Sequence, residues 1–208
     1  MEEKLTIHLE HKHLDADLVI PTNPIGLVLF VHGSGSSRMS PRNRYVAKVL
    51  QSSHVATLLM DLLTEEEDQN PNNRFDIPFL SRRVEQVLRW IQKQDNLKKL
   101  PLALFGASTG SAAALIAASS HHEQIRCLVS RGGRPDLAMQ SLSQVVCPVL
   151  LIVGEKDNEV LTLNRIALDK LGGKKKLEIV QNATHLFEEE GYLEEVARLS
   201  ATFFSQNL

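Results

Sequence analysis

The sequence predicts an α/β fold, a mostly parallel sheet with helices on both faces, and three observations carry that prediction. Short apolar runs of strand length alternate with helical segments through most of the chain. Four of the runs, residues 26–31, 55–60, 102–105 and 149–153, are apolar at nearly every position instead of every second one, the pattern of strands buried on both faces. A length of 208 residues suits one α/β domain spanning 1–208, long enough to bury about 70 % of its unfolded surface.

In chain order, residues 5–10 and 14–20 read as two strands of a hairpin around His11-Lys12-His13, because apolar positions partly alternate and the connection is short. The turn cluster Pro21-Thr22-Asn23-Pro24 leads into a central parallel strand at 26–31. A helix over 41–52, a strand at 55–60, a helix over 77–94, a strand at 102–105 and a helix after Ser108 continue the alternation. Strand 125–129, a short helix near 137–142, strand 149–153, helix 160–171, strand 177–180 and helix 192–204 complete it. Right-handed crossovers between such units give a parallel sheet covered on both sides. The polar stretch 61–76 is long for a connection within a compact domain, and reads either as a mobile rim of a site or as a solvated excursion. No other stretch is long enough for a separate lid, so an open pocket is expected.

Composition narrows the partners. A net charge of −2, with no long Lys/Arg stripe, gives no electrostatic reason to expect nucleic acid or an anionic membrane. Lys174-Lys175-Lys176 reads as a solvated helix end. Cys127 and Cys147 border apolar strands and are expected to act as small hydrophobes. The opening Met1-Glu2-Glu3-Lys4-Leu5 lacks the apolar core of a signal peptide, so a cytoplasmic location is expected. Leu102 to Ser119 is uncharged and close to membrane-span length, but Gly106, Ser108, Thr109, Gly110 and Ser111 interrupt its centre; a buried strand followed by a core-facing helix accounts for it.

The chemistry concentrates at Gly106-Ala107-Ser108-Thr109-Gly110, a G-x-S-x-G between an apolar strand and a small-residue helix. A serine aimed out of so sharp a turn needs glycine two positions away on either side, and Ser108 is the candidate nucleophile. Asp157 and His185 each follow a predicted strand, and the chain order Ser, Asp, His is that of the α/β-hydrolases. In these roles His185 takes the hydroxyl proton and Asp157 holds the imidazole in one tautomer. All three residues follow carboxyl ends of predicted strands, where open parallel sheets place ligands. The oxyanion donors are expected to be the Thr109 amide, at a helix start, and the amide of Ser34 in His32-Gly33-Ser34-Gly35-Ser36-Ser37, with Gly33 as the alternative.

The loop HGSGSSR, the elbow GASTG, the acid segment GEKDNEV and the base segment NATHLF together resemble the dienelactone-hydrolase-like group of α/β-hydrolases, over nearly the whole chain after about residue 25. The resemblance implies an eight-stranded sheet with the second strand antiparallel, and hydrolysis of ester, lactone or related acyl bonds. Dienelactone hydrolases proper use cysteine where this chain has Ser108, so their lactone substrate does not transfer. HGSGSSR and DLLTEEE also resemble hydrolase-like domains found alone or beside phosphoribosyltransferases.

Competing readings attach to several residues. Asp136 follows the preceding strand and rivals Asp157 as the acid; Glu155 and Glu159 are expected to face solvent; His32 is expected to support the oxyanion loop. The pairs His11/His13 and His121/His122 lack partners at an established metal spacing, so no metal is expected. Arg38, Arg42 and Arg44, with Arg131 and Arg134, lie at one sheet edge, where Arg38 and Arg131 are candidates to bind an anionic substrate; the opposing reading pairs them with Asp61, Glu65, Glu66, Glu67 or Asp68. The expected function is a lidless serine hydrolase acting on a small or medium ester, thioester or lactone through an acyl-enzyme, without cofactor. The alternatives are a non-catalytic hydrolase-like binding module and a thioesterase or acyltransferase with an acceptor other than water.

Overall fold

A computed structural model describes residues 2–208. Its strands are β1 (Glu2–His8), β2 (His13–Val19), β3 (Gly26–Val31), β4 (Val55–Met60), β5 (Leu102–Ala107), β6 (Ile125–Arg131), β7 (Val149–Gly154) and β8 (Lys175–Val180). They form one sheet in the order β1-β2-β4-β3-β5-β6-β7-β8. β2 runs antiparallel to both β1 and β4, and every later pairing is parallel.

The helices are α1 (Pro41–Ser52), α2 (Glu65–Asp68), α3 (Ile77–Ile91), α4 (Thr109–Ser120), α5 (Asn158–Lys170) and α6 (Tyr192–Asn207). α1 and α6 bury Val46, Leu50, Val196 and Phe204 on one face of the sheet; α3 and α4 bury Leu80, Val84, Ala113 and Leu115 on the other. Alternation along each strand feeds both cores, with Val28 and Phe30 on the α1/α6 side and Leu27 and Leu29 opposite. Phe30 and Phe105 stack with ring centroids 4.7 Å apart, each contributing about 1.5–3 kcal/mol through burial. No separate lid occurs among the described residues.

Three departures from expectation have physical causes. The predicted helix near 137–142 is replaced by two 3₁₀ turns, Pro135–Ala138 and Leu142–Gln144, the first opened by a proline whose φ is set. α5 begins at Asn158, two residues early, because Asp157 occupies its N-cap position. The 61–76 stretch is neither bare loop nor lid. It holds α2 and a 3₁₀ turn at Pro71–Arg74, fastened by a capping box in which Thr64 and Glu67 bond each other's backbone amides. Arg83, buried on α3, binds Glu67 at 2.7 Å, and Arg74 forks onto Asp68 at 2.6 and 2.8 Å.

The register decides where chemistry can occur. Val31 is level with Gly106, Ala107 with Arg131, and Arg131 with Ile152. The loops after β3, β5, β6 and β7 therefore emerge at one sheet edge.

Candidate active site

Ser108 joins β5 to α4 with φ 50° and ψ −124°, a strained conformation for a residue bearing Cβ. Its backbone is held on both sides. Ser108 N–H donates to the Arg131 carbonyl at 3.1 Å, while its own carbonyl accepts from Ser111 N, Arg134 N and Ser111 Oγ at 3.1, 3.1 and 2.8 Å. The flanking glycines are required by close approach. A Cβ at Gly106 would lie 2.4 Å from Ser111 Cα, and one at Gly110 would lie 2.2 Å from the His32 carbonyl oxygen.

Asp157 follows β7, and its carboxylate makes no capping bond to α5; it accepts from His185 Nδ1 at 2.5 Å. That pairing places the imidazole proton on Nδ1 and leaves Nε2 as the basic nitrogen. The loop carrying His185 is anchored by buried Phe187 and tied to the Asp157 loop by two bonds, Lys156 N to Ala183 O at 2.9 Å and Asn182 N to Glu155 Oε2 at 2.8 Å. Glu155, expected to face solvent, thus joins the two loops. Asp136 is turned elsewhere, receiving both arms of Arg134 at 2.9 and 2.8 Å. No hydrogen bond joins Ser108 to His185 among the described residues; such bonds often tighten only when substrate is present.

Thr109 is the first residue of α4, so its amide points out of the helix start as expected. The Ser34 amide donates to Thr109 Oγ1 at 2.8 Å, so the loop after β3 is stitched directly to the elbow. Sequence spacing could not reveal this contact, since 75 residues separate the partners. Gly33 sits closer still, where a Cβ would lie 3.0 Å from Ser108 Cβ. His32 bridges Gly33 O, at 2.9 Å from Nδ1, and Leu62 N, which donates to Nε2 at 3.0 Å. Burial pushes the His32 pKa below the ordinary 6.5, so the ring is neutral and fixed as the Nδ1–H tautomer. A cavity of about 150 Å³ lies between this loop and the 61–76 segment, lined among others by Ser34, Leu62, Leu63 and Leu80. It adjoins the loop after β3, without Ser108 or His185 in its wall.

The arginines divide. Arg38 is fully engaged: its backbone N–H and its guanidinium bind Asp61, and Asp15 and Asp17 lie 3.1 and 3.9 Å away. Arg44 pairs with Asp17 at 2.6 Å and Arg42 with Glu188 at 2.8 Å. Arg38 is thus neutralised by carboxylates from β2 and the end of β4, two of them outside the expected acidic stretch. Arg131 has no ion pair among the described residues. The histidines beside the hairpin meet differently from expectation, with His13 facing His8 at 3.0 Å. Both cysteines are free and buried, their thiols pushed up to about 12 for Cys127 and about 11 for Cys147 by burial.

A family model described as an alpha/beta hydrolase domain matches residues 24–198. The chain belongs to the α/β-hydrolase superfamily. A crystal structure of dienelactone hydrolase from Anabaena variabilis is 47 % identical, with a TM-score of 0.97 over 100 % of this chain and 98 % of that one. A Mycobacterium tuberculosis protein provisionally named phosphoribosyl transferase is 53 % identical over 191 residues, 92 % of this chain and 43 % of that protein. This chain therefore spans less than half the length of the curated relatives it matches. Est1E from Butyrivibrio proteoclasticus, 16 % identical with a TM-score of 0.85 over 98 % of both chains, shares the α/β-hydrolase fold. No helix among the described residues is long and apolar enough to cross a membrane.

Proposed function

We propose that this α/β-hydrolase is a serine hydrolase cleaving a small or medium carboxylic ester, thioester or lactone. The observation that carries the reading is the 2.5 Å bond from His185 Nδ1 to Asp157, beside an elbow that holds Ser108 at φ 50°. A carboxylate in that position gives His185 its single useful tautomer and stabilises the imidazolium that forms when it accepts a proton.

In the first half-reaction the Ser108 hydroxyl oxygen attacks the carbonyl carbon as its proton passes to His185 Nε2. The carbonyl oxygen becomes an oxyanion, stabilised by the Thr109 amide and by the amides of the 33–34 turn, one of which the Thr109 hydroxyl must release. Removing one such donor typically lowers the rate about 10²- to 10³-fold. The tetrahedral species collapses, the bond to the leaving oxygen or sulfur breaks, and His185 returns the proton to that atom. Water then attacks the acyl-Ser108 with His185 as base, and Ser108 leaves as the alcohol. Every step uses protein groups and water.

The name of the mycobacterial relative describes a protein of which this chain matches 43 %, so that activity is not carried over. The test is a fluorophosphonate probe together with p-nitrophenyl acetate and butyrate turnover, on wild type and Ser108→Ala. Labelling and turnover confined to wild type are expected, with His185→Ala strongly reduced in both. Absence of both from wild type would instead favour a binding module. Faster acyl-enzyme breakdown on adding a thiol or alcohol would favour an acyltransferase.

A further inference from the structure

Arg131 ends β6, and its backbone carbonyl accepts the Ser108 amide at 3.1 Å. Val129 and Cys127, two and four residues earlier, belong to the α1/α6 core, so alternation sends the Arg131 side chain to that face. Only 6 % of the residue is exposed. Its side chain makes one hydrogen bond among the described residues, a long one from Nη2 to Asn43 Oδ1 at 3.5 Å, and its buried Nε has no partner.

Two neighbouring features add positive charge. Asn43 lies in the first turn of α1, a 12-residue helix whose start carries partial positive charge. Arg42 precedes it and also has a buried Nε without a partner. Burial first, and the Arg42 charge second, bring Arg131 down to about 10, which still leaves it charged at neutral pH. Buried charges are ordinarily paired, because an unpaired one is among the most unfavourable groups a fold can hold. Arg38, Arg42, Arg44 and Arg134 at the same sheet edge each have a carboxylate, and Arg131 does not. The counter-charge is therefore expected from outside the protein.

Its position beside the proposed catalytic residues fits a substrate group. Gly132 follows Arg131, and a Cβ there would lie 3.2 Å from the His185 carbonyl oxygen and 3.4 Å from its Cε1. The arginine thus starts under the proposed base and beside the proposed nucleophile. Above Arg42 sits Glu188, whose side chain is 62 % exposed and so can be displaced by a competing anion.

We propose that Arg131, Arg42 and Asn43 form a subsite for the carboxylate or phosphate of an anionic acyl substrate. This deepens the serine-hydrolase reading and rests on it. The free guanidinium edges of Arg131 and Arg42 donate to the anion oxygens, a geometry that arginine forks match better than lysine. Asn43 acts as the neutral spacer that keeps the arginine aimed without neutralising it.

The experiment compares 4-nitrophenyl hydrogen adipate with its neutral methyl ester, 4-nitrophenyl methyl adipate, in wild type, Arg131→Gln and Asn43→Asp. Asn43→Asp supplies an internal carboxylate where Asn43 Oδ1 now meets Arg131, and keeps the protein's shape even if Arg131→Gln fails to fold. Wild type is expected to prefer the anionic ester at least tenfold in kcat/KM, and each folded variant to fall to parity or below. Inorganic phosphate is expected to inhibit neutral-ester turnover in wild type and to lose that effect in Asn43→Asp, which separates a general oxyanion site from one selective for carboxylates. No preference in wild type, or a preference unchanged in Asn43→Asp, overturns the subsite. Fluorophosphonate labelling of wild type reads the serine site independently: its absence overturns the hydrolase reading and the subsite with it, whereas its presence with no anion preference overturns the subsite alone.

Discussion

His32 shows how much of the site hangs on single side chains. Both ring nitrogens are committed, one to Gly33 O and the other to Leu62 N–H, so the ring joins the glycine-rich loop after β3 to the wall of the adjoining cavity. Protonating Nε2 would break the bond from Leu62 and place a charge in a buried setting. Its folded pKa lies below the ordinary 6.5, so the unfolded chain binds the proton first, and the stability His32 contributes is present above pH 6.5 and lost as pH falls through the folded value. Thermal unfolding followed from pH 7.5 to 5 should show a steeper acid loss in wild type than in His32→Gln; parallel curves would remove His32 from that role. The support role of His32 was legible, because a histidine opening a glycine-rich loop after a central strand has few other neighbours. The bond from Ser34 N to Thr109 Oγ1 was not, since it depends on a side-chain torsion across two loops. The separation of Arg38 from Arg131 was equally hidden: Asp15 and Asp17 reach Arg38 only because β2 pairs beside β4.

At the scale of elements, the 61–76 segment departs most from a reading by composition. Its run of Glu and Asp looks like solvated loop, yet the same residues form α2 with a capping box, and Glu67 also neutralises Arg83, of which 4 % of the side chain is exposed. Four residues give too few contacts for periodicity to register, and the decisive partner, Arg83, lies on another helix. Removing Glu67 strands a buried guanidinium, a change that typically costs about 3–5 kcal/mol. Glu67→Ala should lower the unfolding free energy in urea by about that amount and speed protease cutting within 61–76; a loss under about 1 kcal/mol with unchanged cutting would show that the segment is held by other contacts. The helix expected near 137–142 failed for a related reason. Ala138, Met139 and Leu142 fall at helical spacing, but Pro135 and the Arg134–Asp136 fork hold the chain in a 3₁₀ turn.

For the whole molecule, the layered architecture was readable because strands buried on both faces leave continuous apolar runs, and β3, β4, β5 and β7 are buried at every position. Strand neighbours were readable in outline through the right-handed crossover rule. Pair-by-pair register was not, and it is the register that sets Ala107 beside Arg131 and brings the loops of Ser108, Asp157 and His185 to one edge. The outer strands β1 and β8, with alternating or polar faces, gave the least secure ends: β1 begins at Glu2 and β8 at Lys175, both earlier than their apolar residues suggest. The central claim is that this scaffold serves acyl transfer to Ser108. It is tested most directly by acid-quenching the enzyme during turnover of p-nitrophenyl butyrate and locating the acyl group by peptide-resolved mass spectrometry. A butyryl adduct on Ser108, absent from Ser108→Ala, is the predicted result; sustained turnover by Ser108→Ala, or an adduct at another residue alone, would contradict it.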